Sequence, residues 1–174
     1  MEWTGARYAD NPTAEARTWI AASPERVWEL VSDIELMPKL SAELRSVRWL
    51  DGATGPALGA RFTGRSEHPE LGEWETTSQV VAHEPPRVFA WAVGDPEHPA
   101  ALWRFTLAAR DGGTELRQWI RLGPGRSGLS FAIDRMPDKE QKIVFVRMRE
   151  FERNMTATLD AVRRLAEAPA PAGA

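Results

Sequence analysis

The sequence predicts an α+β fold: a curved antiparallel sheet wrapped around one long C-terminal helix, with two short helices after the first strand. Three observations carry this. Val144, Met148, Phe151, Met155, Leu159 and Val162 recur at steps of three and four within Asp138 to Glu167, which puts them on one stripe of a helix. From Leu44 onward the apolar pattern turns two-fold, in segments divided by turn residues. Of eight tryptophans, against one tyrosine, Trp74, Trp91 and Trp103 stand with Phe89 and Phe105 on one side of those segments, and so broad an apolar surface needs a long helix to cover it.

Taken in order, residues 1 to 13 have no period and read as an arm. Glu15 to Ala21 alternates, a first strand. Ser23-Pro24-Glu25 supplies an N-cap hydroxyl, a proline at the first helical position and an acid for the positive end of the helix dipole. Val27, Trp28, Leu30 and Val31 are that helix's apolar face. A second helical piece is expected from Asp33 to Lys39, broken by Pro38. Six strands follow, over Leu44 to Leu50, Ala60 to Glu67, Glu73 to His83, Arg87 to Val93, Ala101 to Ala109 and Thr114 to Leu122. Leu129 to Met136 reads as a short helix or a strand, with helix favoured. The last helix should start at Asp138, with Gln141 completing a capping box, and run about 45 Å at about 1.5 Å per residue. A disordered tail is expected over 168–174.

Alternation assigns faces. Trp74, Thr76, Ser78 and Val80 share one side of their strand. Phe89, Trp91 and Val93, then Trp103, Phe105 and Leu107, then Leu116, Gln118, Ile120 and Leu122 continue it. This side is rich in large rings, with Thr76, Ser78 and Gln118 as polar interruptions. Trp19, Trp28 and Trp49 are expected to anchor the short helices to the sheet.

Length and composition narrow the function. At 174 residues the chain is one domain with a real core. No apolar run approaches the ~18 residues of a membrane-spanning helix, so no integral membrane segment is expected. The start lacks the pattern of a secretory signal, so a cytoplasmic protein is expected. With no cysteine, disulfides and thiolate chemistry are excluded. A formal net charge of −3 argues against a nucleic-acid binder, and Arg147-Met148-Arg149 and Arg163-Arg164 read as solvated helix face.

Several segments look familiar together. Ala22 to Asp33 (ASPERVWELVSD), Gly59-Ala60-Arg61-Phe62, Glu84-Pro85-Pro86-Arg87, Phe89-Ala90-Trp91 and Ala101-Leu102-Trp103-Arg104-Phe105 resemble the START-related (SRPBCC) superfamily, especially its polyketide cyclase/dehydrase branch. The resemblance covers about residues 14–167. It implies a helix-grip fold with an apolar cavity between sheet and helix, and binding of lipids, sterols, polyketides or similar hydrophobic molecules. Some members cyclise or hydrolyse their ligands, with an arginine and hydroxyl donors in the pocket. Here the one tyrosine, Tyr8, lies outside the matched region, and no catalytic residue can be aligned.

The ligand-binding candidates are therefore Trp74, Thr76, Phe89, Trp91, Trp103, Phe105, Gln118, Arg147 and Phe151. Pockets of this kind are mostly apolar with a few placed polar groups. The rings are the walls, unless they only fill a core. Gln118 is a polar anchor. Arg147, at the edge of the inward stripe, either holds a carboxylate or bends out to Glu150 or Glu140. Gly123-Pro124-Gly125-Arg126-Ser127-Gly128 matches G-x-G-x-x-G but has no following βαβ unit, so it is no dinucleotide site. His68, His83 and His98 read as solvated loop histidines without metal spacing. The expected partner is a small hydrophobic molecule, with no cofactor and no metal, in a monomer or homodimer. The competing readings are a cyclase or dehydratase acting on such a ligand and a filled-core protein-interaction module.

Overall fold

The last strand shows how alternation becomes architecture. In β7 (Gly113–Leu122), Thr114, Leu116, Gln118, Ile120 and Leu122 are buried, while Glu115, Arg117, Trp119 and Arg121 between them are half-buried on the outer face. A computed structural model describes residues 2–169. It contains one seven-stranded antiparallel sheet in the order β1-β7-β6-β5-β4-β3-β2, a meander whose first strand crosses over to join the last. The strands are β1 (Thr13–Ile20), β2 (Leu44–Trp49), β3 (Arg61–His68), β4 (Gly72–Glu84), β5 (Val88–Val93), β6 (Ala101–Arg110) and β7. The helices are α1 (Pro24–Val31), α2 (Gly128–Arg135) and α3 (Glu140–Glu167).

Local chemistry sets the elements much as expected. Ser23 caps α1, its Oγ accepting from the Arg26 N–H at 3.2 Å, and Val27, Leu30 and Val31 are buried beneath it. The stripe of α3 lies inward: Val144, Met148, Phe151, Met155, Leu159 and Val162 are all buried. This helix, about 42 Å long at about 1.5 Å per residue, lies against β1, β7 and α1. Among the described residues no helix is long and apolar enough to cross a membrane.

Several expectations need correction. The helix begins at Glu140, after a 3-10 turn at Pro137–Lys139 that takes up Asp138, and no side chain caps it. Gln141 closes no capping box; its Nε2 donates to the Gly5 carbonyl at 2.7 Å. The second short helix after β1 reduces to a 3-10 turn at Met37–Lys39, because Pro38 lacks the N–H that a longer helix needs. The arm carries structure of its own. Its Tyr8–Asp10 turn places the Tyr8 Oη to donate to the Gly125 carbonyl at 2.7 Å, and β1 starts at Thr13. Of the expected tail, Ala168 and Pro169 follow α3 without regular structure, and 170–174 lie outside the described residues.

Trp19 anchors no helix. The inward positions of β1 are Ala14, Ala16 and Ile20, so Trp19 points outward, 44% exposed, and its Nε1 donates to the Arg110 carbonyl at 2.9 Å. It thereby covers the β6–β7 turn, where Gly113 is required: a Cβ there would sit 2.3 Å from the Ile20 carbonyl oxygen. Gly125 of the G-x-G-x-x-G loop has a similar packing reason, since a Cβ would come within 2.2 Å of the His98 carbonyl oxygen.

Candidate functional site

Register aligns the aromatic side chains into rows across the sheet. One row runs Val80, Trp91, Trp103, Ile120 over β4 to β7; the next runs His83, Phe89, Phe105, Gln118. Trp91 and Trp103 face each other directly, ring centres 6.2 Å apart and planes within 10°. Phe89 and Phe105 lie beside Trp91 at 5.5 and 5.9 Å. Trp103 then meets Phe151 of α3 edge-on at 5.4 Å, which is where the sheet and helix sides of the candidate site touch.

Burial along these rows is uneven. Phe89 and Phe105 have no exposed surface. Trp91 and Trp103 remain half-buried although they sit on central strands and face the helix. Trp74 and Thr76, nearer the β3–β4 hairpin, are half-buried as well. Trp74 lies opposite Ser66, and Thr76 opposite Gly64, which carries no side chain to cover it. These four side chains thus keep some contact with solvent, whereas Phe89 and Phe105 keep none.

Gln118 is the polar interruption in this apolar row. It is 8% exposed, and its Oε1 finds no hydrogen-bond partner among the described residues. A buried acceptor left unpaired costs about 1–3 kcal/mol.

Arg147 is buried, 7% exposed, where the Arg147–Arg149 segment was expected to be solvated. Its ordinary helix position adjoins the inward stripe, so the side chain follows Met148 and Phe151 inward. Nη1 and Nη2 donate to the two carboxylate oxygens of Glu43 at 2.7 Å each, and Nη1 also reaches Glu150 at 3.1 Å. Burial pulls the guanidinium pKa down, but the bonds and charges of Glu43 and then Glu150 raise it above the ordinary arginine value. Its carbon lies 4.1 Å from the centre of the Phe151 ring, a cation–π contact. Glu140, the other acid considered, is engaged elsewhere, accepting from the Tyr8 N–H at 3.1 Å.

Around this pair, Asn154 Nδ2 donates to Glu43 at 2.9 Å and His68 Nε2 lies 3.5 Å from Glu150. His68 is no solvated loop histidine: its side chain is 13% exposed, and Nδ1 accepts from the Glu70 and Leu71 N–H groups. His83 is also turned inward. A bulge between Val80 and Ala82 shifts the alternation of β4, so His83 packs 5.5 Å from Trp28, which pins α1 to the sheet as expected. His98 is exposed, its side chain at 73%.

The structure therefore brings together Phe89, Trp91, Trp103, Phe105, Gln118, Phe151 and Arg147, and sets Trp74 and Thr76 to one side. Sequence reasoning missed Glu43, Asn154 and His68. The spacing of Arg147, Glu150 and Asn154 along one edge of α3 was readable; that Glu43 arrives from the segment before β2 was not. Two hollows lie elsewhere. One, of about 250 Å³, is lined by Thr106, Ala108, Glu115 and Arg117 on β6 and β7. The other, of about 410 Å³, lies at Arg7, Asp138 and Gln141 beside the arm. Both are walled by surface charges already paired, Glu115 with Arg117 and Glu140 with Arg7, and neither holds the candidate residues. Among the described residues no three His, Asp or Glu side chains group as metal ligands.

A curved antiparallel sheet holding a long C-terminal helix is the helix-grip arrangement. The family described as polyketide cyclase / dehydrase and lipid transport matches residues 11–167, and the chain belongs to it. The solution structure of a polyketide-cyclase-like protein from Corynebacterium glutamicum is similar at 34% identity, with 89% of this chain and 91% of that one covered and a TM-score of 0.64. A protein from Deinococcus radiodurans shares the fold at 18% identity, covering 88% and 95%, with a TM-score of 0.59. The di-domain ARO/CYC protein StfQ of the steffimycin biosynthetic pathway shares it at 12% identity and a TM-score of 0.67, over 89% of this chain and 50% of that one. No curated protein matches the sequence.

Proposed function

We propose that this protein binds a small hydrophobic molecule, polyketide-like or lipid-like, between the helix-facing side of β3 to β7 and α3. Trp91, Trp103 and Phe151 would be its walls and Gln118 its polar contact, with Phe89 and Phe105 supporting Trp91 from beneath. Trp74 and Thr76 would border the β3–β4 side, and Arg147 would close the outer end. The observation that carries this reading is the half-buried state of Trp91 and Trp103 at the centre of the sheet, beside a buried amide oxygen with no partner. Ligand sites combine these features: apolar walls and a few unsatisfied polar groups.

Binding is favoured over catalysis by the state of the titratable groups. Of the nine candidate residues only Arg147 ionises, and two carboxylates hold it. The Tyr8 hydroxyl is spent on backbone carbonyls of Gly125 and Ala100. In the two rows of sheet side chains the one acid–base group is the His83 imidazole, set against Trp28 and Phe89 and not against Trp91 or Trp103. That gives little support to the proton transfer that cyclisation or dehydration requires.

Two measurements test the reading. Denaturing the purified protein and analysing what is released should yield one hydrophobic compound in near-stoichiometric amount, or, from a protein purified empty, hydrophobic probes should shift its melting and quench its tryptophan emission. A panel of fused-ring phenols, sterols and fatty acids that changes neither would overturn it.

A further inference from the structure

From the charges at the outer end of this site we infer that the protein selects neutral, hydrogen-bond-donating aromatic ligands and rejects carboxylates, with Glu43 as the residue that sets the selection. The inference rests on the binding site proposed above and adds the class of ligand to it.

Arg147 is the only buried ionisable residue among the described ones, and so the natural seat for an anionic ligand group. That seat is occupied. Glu43 takes both terminal nitrogens in a two-point pairing, and Glu150 adds a second carboxylate at 3.1 Å. The remaining neighbours offer no spare cation: Asn154 is neutral, and His68 points its Nε2 at Glu150. Two carboxylates around one guanidinium leave the outer end negative or neutral. An incoming carboxylate would lose its water and gain no free charge partner, which disfavours it strongly.

The inner end asks for the opposite chemistry. The orphaned atom of Gln118 is an acceptor, and a ligand hydroxyl, which both donates and accepts, completes the amide whichever end it presents. Between the two ends, the near-parallel Trp91 and Trp103 rings and the Phe151 edge offer flat surfaces suited to a planar ring. Glu43 thus works through Arg147: it is a positioning residue, and it need not touch the ligand.

The test compares three probes built on one ring system: naphthol, naphthoate and methoxynaphthalene, substituted at the same carbon, by equilibrium dialysis at neutral pH against the full chain. The expected order is naphthol tightest, with naphthoate weaker by about tenfold or more. Glu43→Gln keeps the amide oxygen for Arg147 but removes the charge, and should narrow the gap by raising naphthoate affinity about tenfold. Gln118→Leu should weaken naphthol and leave methoxynaphthalene unchanged. Should Glu43→Gln fail to fold, Glu150→Gln tests the same direction, and the wild-type order needs no variant at all. Naphthoate bound as tightly as naphthol by the wild type would overturn the selectivity while leaving the binding site standing. If none of the three probes binds, the site itself falls, and the selectivity with it.

Discussion

The two halves of the sheet treat α3 differently. On the β1–β7 side the contact is closed: Ile20, Leu116, Ile120, Val144, Leu159 and Val162 are at most 1% exposed. On the β3–β6 side, Trp74, Thr76, Trp91 and Trp103 face the same helix and remain half-buried. Branched aliphatic side chains interdigitate to near-crystalline density, whereas a row of indoles is wide, flat and slow to fill gaps. The difference teaches that one face meets the helix in two ways, with fully buried aliphatic side chains at one side and with half-buried rings at the other.

The comparison breaks most readily at its closed half. Leu159→Ala should cost about 2–5 kcal/mol of unfolding free energy, since a buried leucine leaves a cavity, and chemical denaturation should show it with ligand affinity unaltered per folded molecule. Trp28→Ala should come close behind, at about 3 kcal/mol, because its ring holds α1 against His83 and Phe89. Trp91→Ala should do the reverse, losing more probe affinity than Trp28→Ala does; equal affinity losses in the two variants would erase the distinction between the halves. Arg147→Ala leaves Glu43 and Glu150 facing each other in a half-buried setting, and should cost about 3 kcal/mol.

Smaller effects sharpen the picture. Gln118→Leu removes an unpaired buried oxygen while keeping the volume, so without ligand it should be neutral or stabilise by about 1 kcal/mol; a marked loss of stability would mean the amide is already satisfied. The smallest effect lies on the outer face. Hydrogen bonding by Arg117, and then by Arg110, holds the Glu115 carboxyl below its ordinary range. Its folded pKa is lower than its unfolded one, so its contribution is present above the unfolded carboxylate value and disappears as pH falls through the folded value. Glu115→Gln should therefore flatten the acid limb of a thermal-stability profile by slightly lowering its neutral-pH plateau, with no change below the folded value, where the contribution is already gone.

Much of this site could be read in advance, one residue at a time. Alternation placed Trp91, Trp103 and Gln118 on the helix-facing side, and helical spacing placed Phe151 there. The parity of β4 was legible only as far as Val80, because a bulge reverses it before His83. Arg147 looked like surface by its charge and like core by its position; its position won, because Glu43 supplies two hydrogen bonds that make burial tolerable.

By itself the sequence determined the seven strands, the long helix, their order and the inward side of Phe89, Trp91, Trp103 and Phe105, because these follow from spacing along the chain and from turn residues. Tertiary structure alone decided which carboxylate meets Arg147, that the arm bonds to the Gly125 loop and the start of α3, and how tightly each half of the sheet closes on the helix. Those outcomes depend on groups about a hundred residues apart meeting in space, as Glu43 and Arg147 do across 104 positions, and no local period records such a meeting.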